Sequence, residues 1–171
     1  MALDLARPLI ITAEFDPADH AWLDGLRRQY YPAERNRVPA HLTLFRTLPP
    51  SAELEIRHIL ASIVAGQAPR ALITGTKDLG GGVAFRVVSD ELDRVRGEIA
   101  DRLHGLLTVQ DSAGWSAHVT IQNKVSPREA KALLHALGMQ YDRRPLKISG
   151  LGLHRYLGGR WETLRVFPFR G

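Results

Sequence analysis

Two short stretches of this 171-residue chain carry matching residues in the same order, Pro39-Ala-His-Leu-Thr-Leu and Ser116-Ala-His-Val-Thr-Ile. Each offers an imidazole and, two residues on, a hydroxyl. Side chains alternate between faces along a strand, so the pattern puts His41, Thr43 and Phe45 on one face, and His118, Thr120 and Gln122 on one face of a second strand. Leu42, Leu44, Val119 and Ile121 then point the opposite way, toward the helices of their own half. Opening a phosphodiester needs a proton taken from the attacking oxygen and a proton given to the leaving oxygen, on opposite sides of phosphorus. A pair of imidazoles fits both tasks near neutral pH, and threonine hydroxyls can donate to the non-bridging oxygens where charge builds up. His41 and His118 are therefore candidate acid and base, and Thr43 and Thr120 candidate phosphate donors.

A single His-x-Thr in a strand says little, because both residues are common on half-buried sheet. Two copies at equivalent places in a repeated order of elements say much more. Phe45 and Gln122 follow the motifs on the expected face and are candidates to meet a base or ribose, with Lys124 placed to meet phosphate. Tyr156 and Trp161 flank a glycine turn, where they could stack on a base or simply pack across the strands. Of the seven histidines, His20, His58, His104, His135 and His154 have no companion at metal-ligand spacing, and no His-x-x-x-His or His-x-x-Glu-His occurs. No metal and no cofactor is expected.

The elements that would position these residues can be read from periodicity and punctuation. Leu9 to Phe15 is an apolar strand, followed by Asp16-Pro17 as cap and first position of a helix that buries Trp22, Leu23 and Leu26. His41 to Leu48 is a strand. Ser51 is expected to cap a helix whose Ile56, Ile59, Leu60, Ile63 and Val64 make one apolar stripe. Strands near 71–76 and 83–88 turn through Gly80, Gly81 and Gly82. A helix over about 90–106, the strand His118 to Val125, a helix from the Ser126-Pro127-Glu129 capping box to Gly138, and a hairpin of two strands turning at Gly158 and Gly159 complete the chain. Each half reads strand, helix, His-x-Thr strand, capped helix, strand. His41 lies 32 residues after Leu9, and His118 lies 35 after Val83. The expected organisation is one bilobal domain spanning 1–171, built from an approximate internal repeat of 8–78 and 83–171.

Composition narrows the classes further. Cysteine is absent, which removes disulfides, thiolate metal sites and cysteine nucleophiles. A formal net charge of +5, mostly arginine, suits an anionic partner, and no run of like charge marks a disordered nucleic-acid tail. The first eleven residues carry Asp4, Arg7 and Pro8, and their apolar run is too broken for a leader or membrane span. A cytoplasmic, membrane-independent protein, monomeric in state, is expected.

On His41-Leu-Thr-Leu and His118-Val-Thr-Ile, and over nearly its whole length, the chain resembles the 2H phosphoesterase superfamily, within it the 2'-5' RNA ligase and cyclic phosphodiesterase proteins. The resemblance implies an α+β fold of two pseudo-symmetric lobes of antiparallel sheet, with outer helices, around a central cleft. It implies His41 and His118 as acid and base, with Thr43 and Thr120 on phosphate. The activity so implied is metal-independent hydrolysis of a 2',3'-cyclic phosphate or a 2'-5' linkage at a nucleotide or RNA terminus. A module that holds a nucleotide or RNA end in the same cleft without turnover is the alternative.

Overall fold

A computed structural model of the protein describes residues 7–141 and 143–171, so the reading of residues 1–6 lies outside the described part. Within the described residues, seven strands and five α-helices alternate in the order β1 (Leu9–Phe15), α1 (Pro17–Tyr30), β2 (Leu42–Leu48), α2 (Glu53–Ile63), β3 (Arg70–Asp78), β4 (Val83–Val88), α3 (Asp90–Arg102), the single turn α4 (Val109–Ser112), β5 (His118–Gln122), α5 (Pro127–Gln140), β6 (Arg144–Tyr156) and β7 (Trp161–Pro168). Local chemistry sets most of these boundaries. The Asp16 carboxylate accepts from the Asp19 N–H, Ser89 from Leu92 and Ser126 from Glu129, so three helices start at side-chain caps. Ser51 is not a cap: Pro50, with its fixed φ, starts a 3-10 turn over Pro50–Ala52 that takes Ser51 inside it, and α2 begins at Glu53 without a side-chain cap. Helix α3 stops at Arg102, short of the expected 106, because the chain turns left-handed at Gly105 with φ +86°.

All described strand pairs are antiparallel, in the order β2-β1-β6-β3-β4-β5, with β7 on β6. The long strand β6 joins two sheets. Its first residues, Arg144 to Lys147, pair with β3, while Ile148 to Arg155 pair with β1 and Gly150 to Tyr156 with β7. One lobe is thus β2-β1-β6-β7 and the other β6-β3-β4-β5. The third strand of each half has crossed over: β3 from the first half pairs with β4, and β6 from the second pairs with β1.

The helices cross as well, which corrects the expectation that each His-x-Thr strand is backed by helices of its own half. Helix α1 packs on β5. Its Trp22 ring stacks on Phe85 of β4 at 5.5 Å between centroids and meets Tyr141 edge-on at 5.2 Å. Helix α3 in turn reaches β2 of the first half through Arg96. Crossing in both directions buries the apolar side chains of β2 and β5 in one continuous core, with Leu42, Leu44, Val119 and Ile121 almost completely enclosed. At 25 cal/mol per Å² of apolar surface, such side chains each contribute on the order of 2 kcal/mol.

Strict alternation fails at the same point in both motif strands. On β2, Thr43 pairs with Thr12 and Phe45 with Ile11, which leaves Leu44 as an extra residue. On β5, Thr120 pairs with Ala84 and Gln122 with Val83, which leaves Ile121 as the extra. A bulge of one residue reverses the faces beyond it. Phe45 and Gln122 are therefore turned into the interior, with exposures of 0% and 5%, and the next residues, Arg46 and Asn123, come out at the cleft.

Gly82 is where the β3–β4 turn touches the exit of β5: a Cβ there would lie 1.9 Å from the Gln122 carbonyl oxygen. Backbone has nowhere to yield at that contact, so Gly82→Ala should destabilise the fold by about 1–3 kcal/mol, as overpacking does. A urea unfolding curve with an unshifted midpoint would contradict this packing.

Candidate active site

The residues before each motif strand prepare the histidines in the same way. His41 Nδ1 lies 2.8 Å from the Pro39 carbonyl oxygen, and His118 Nδ1 lies 2.9 Å from the Ser116 carbonyl oxygen. A carbonyl oxygen only accepts, so each Nδ1 carries a proton and donates it. In the neutral ring Nε2 is then the free base nitrogen, and neither Nε2 is bonded to another described residue. The segment ahead of His41 is pinned by the Ala40 N–H, which donates to Asp24 Oδ1 at 3.0 Å.

The threonines are held by their backbone, leaving their side chains uncommitted. Trp115 Nε1 donates to the Thr43 carbonyl at 3.1 Å, Arg96 Nε to the Leu44 carbonyl at 3.0 Å, and Arg27 Nη1 to the Thr120 carbonyl at 2.9 Å. Neither threonine hydroxyl is hydrogen-bonded to another described residue. His41, Thr43, His118 and Thr120 all line one cavity of about 510 Å³ between the two lobes. The strands thus meet with two imidazole–hydroxyl pairs facing one space.

The two histidines differ in surroundings. Trp161 packs on the His41 ring with centroids 4.5 Å apart, and Trp161 also meets His154 at 5.1 Å. Burial pushes His41 down to about 4, opposed by its bond to Pro39 and assisted by the charges of Arg27, His154 and His118. Part of His41 remains open to the cleft, as contact with a substrate requires. His154 is itself buried, with Thr12 Oγ1 at 2.8 Å from Nε2 and Thr163 Oγ1 at 3.0 Å from Nδ1, and burial lowers its affinity for a proton too.

Tyr156 and Trp161 line a second cavity of about 320 Å³ together with His41 and Thr43. The other three secondary candidates from the sequence are elsewhere. Phe45 lies in the core beneath the Arg96 guanidinium, 4.5 Å from its ring centroid. Gln122 is buried with its Oε1 unpartnered among the described residues, at the position where the first half carries Phe45. Lys124 takes a left-handed turn, φ 61°, as β5 ends, and Asn123 lines the cleft instead. Lys77, Arg46, Arg96 and Gln110 also line it. Two of the missed cations had a signal in the sequence. Arg27 follows Leu23 by four residues and Arg96 follows Leu92 by four, so both sit on the buried stripe of a helix, where an arginine needs acceptors from another element.

Among the described residues, no three His, Cys, Asp or Glu side chains gather closely enough to hold a metal ion. No helix there is long and apolar enough to cross a membrane.

Two sheets that meet along a cleft, each presenting a His-x-Thr strand to it, have the fold of the two-histidine phosphoesterases. Residues 15–160 match the family model of the 2'-5' RNA ligase superfamily, and the chain belongs to that family. Among solved structures it is similar to TT0787 of Thermus thermophilus, at 18% identity and TM-score 0.67, covering 96% of this chain and 98% of that one. It is also similar to E. coli LigT complexed with 3'-AMP, at 16% identity and TM-score 0.60 over 96% and 99% of the two chains. A structure described as a phosphoesterase is similar at 16% identity and TM-score 0.61, again over 96% and 99%. At such identities these likenesses establish the shared fold. No curated protein sequence matches the chain. Membership in a superfamily named for a phosphodiester-forming reaction supports an enzyme of phosphodiester chemistry in general.

Titration of the histidine ring protons by NMR should give His41 a midpoint about two units or more below an ordinary histidine, given the value of about 4. Because this folded value is below that of the unfolded chain, the group favours folding above pH 6.5, and that contribution is lost as pH falls from about 6.5 through 4. A His41 midpoint at or above about 6 would contradict the crowding described around it.

Proposed function

We propose that the protein hydrolyses a nucleotide or RNA phosphodiester, a 2',3'-cyclic phosphate or a 2'-5' linkage, by paired-histidine acid–base catalysis without a metal. The observation that carries this reading is the matched pair of Nδ1–carbonyl bonds, which leave Nε2 as the uncommitted nitrogen on two histidines that line one cavity. Low proton affinity keeps His41 neutral at pH 7, which suits the base. On a cyclic phosphate, His41 Nε2 takes a proton from water as its oxygen bonds to phosphorus. Protonated His118 gives its Nε2 proton to the ribose oxygen whose bond to phosphorus breaks, and a nucleoside monophosphate results. The Thr43 and Thr120 hydroxyls donate to the non-bridging oxygens as charge gathers there.

The site's walls suit such a substrate. The cavity beside His41 has two aromatic walls, Tyr156 and Trp161, against which a base can stack. Structures of E. coli LigT have been determined with 3'-AMP, NADP+ and ATP, which supports a nucleotide as the ligand class.

Nucleoside 2',3'-cyclic monophosphates and 2'-5' linked dinucleotides, incubated with the protein in EDTA, should yield products. His41→Ala or His118→Ala should slow turnover by about two to four powers of ten. Thr43→Val and Thr120→Val should have smaller effects. Binding without turnover by the native protein would favour the binding module, and near-native rates in both histidine variants would overturn the catalytic assignment.

A further inference from the structure

Beyond the bulge at Leu44, β2 pairs irregularly once more: Ile11 faces Phe45, but Leu9 faces Leu48. The N–H groups of Arg46 and Thr47 are instead bonded to Asp111, a carboxylate only 3% exposed. Oδ1 lies 3.0 Å from the Arg46 nitrogen, and Oδ2 lies 2.9 Å from that of Thr47. Asp111 is held in turn by its own N–H on Thr108 Oγ1 at 3.2 Å, and by Arg96 Nη2 on its carbonyl at 2.7 Å. A buried clamp therefore fixes the backbone from which the exposed Arg46 side chain departs.

Arg46 stands where the two cavities join, since it lines both, along with His41, Thr43 and Gln110. The smaller cavity has Tyr156 and Trp161 in its wall and no carboxylate. His118 and Thr120 line only the larger one. The equivalent residue after the second bulge is Asn123, which is neutral. A reacting phosphate shared by the two matched motifs needs only what both halves supply. The unmatched arginine lines the side pocket on the β2 side as well, beside the aromatic walls Tyr156 and Trp161. An arginine there, without a carboxylate partner among the described residues, is suited to bidentate contact with a second anion on the same ligand.

We propose that Arg46, positioned by Asp111, binds a second phosphate of the substrate, so that the enzyme selects ligands carrying a phosphate or phosphodiester besides the one that reacts. This rests on the phosphodiester reading of the cleft, and it orients the ligand with its nucleoside and second phosphate on the β2 side.

The test is equilibrium binding, by calorimetry, of adenosine 3'-monophosphate, adenosine 3',5'-bisphosphate and the dinucleotide ApA 3'-phosphate, whose second charge is an internal phosphodiester. The native protein should bind at least one doubly charged ligand about tenfold to a hundredfold more tightly than the monophosphate, the fold-change of one charge-assisted contact. Whichever of the two gains more identifies the second group as a terminal phosphate or a chain linkage. Arg46→Gln should reduce that preference to under about threefold, with much less loss on the monophosphate. Asp111→Asn, which replaces one clamp oxygen by a donor, should reduce it by a smaller factor while Arg46 is intact. An unchanged preference in Arg46→Gln, or equal losses on all three ligands, would overturn the proposal. Because binding is the readout, failure to hydrolyse any substrate with the preference intact would count against the catalytic reading alone.

Discussion

Two arginines from crossed helices hold the motif strands. Arg27 on α1 donates Nη1 to the Thr120 carbonyl of the second half, and Arg96 on α3 donates Nε to the Leu44 carbonyl of the first. The Leu44 acceptor is the bulged residue itself and Thr120 precedes one, where the ladder leaves backbone groups without their usual strand partners. Arg27 is 2% exposed and also bonds the Asn36 side chain through Nε and Nη2, so one guanidinium ties the approach to His41 to the strand that carries His118. Burial lowers the proton affinity of both arginines, although arginine remains charged throughout the working range. Hydrogen bonds from a charged donor contribute about 1.5–3 kcal/mol each, and leaving the buried acceptors unpaired costs about 1–3 kcal/mol more. Assembly of the fold and placement of the site therefore rest on the same contacts.

The pseudo-symmetry that these contacts maintain is complete for the motif residues that line the cleft and broken around them. Both histidines donate Nδ1 to the carbonyl two residues earlier, both threonines keep a free hydroxyl, and both strands bulge at the following residue. Of the two, only His41 lies against Trp161, and burial there lowers its proton affinity. Repetition supplies two histidines, each with Nδ1 committed to a carbonyl, to one cavity. The unmatched surroundings then place the two imidazoles in different environments.

Much of this was legible in the sequence because it depends on local chemistry. The caps at Asp16 and Ser126 and the strand Val83–Val88 follow from residue type and period. The His41 and His118 motifs stand out because they occur twice at matching places. The bulges were hidden, since Leu44 and Ile121 are as apolar as an unbroken alternation demands and only pairing with β1 and β4 shows each as an extra residue. That one-residue shift sent Phe45 and Gln122 inward and brought out Arg46 and Asn123. Strand and helix crossover was hidden for another reason: an apolar stripe specifies that a face is buried, not which half of the chain buries it. Asp111 lies in a stretch without periodicity, and its role as a backbone clamp arises only from the irregular pairing of β2.

The central claim is that two histidines serve opposite sides of one phosphorus. A crystal structure with a nucleoside–vanadate complex, whose five-coordinate centre imitates in-line displacement, would test it directly. His41 Nε2 and His118 Nε2 should each lie about 2.6–3.2 Å from a different apical oxygen, with the Thr43 and Thr120 hydroxyls on equatorial oxygens. Vanadate bound with both imidazoles on one side, or with either imidazole out of reach of an apical oxygen, would contradict the account.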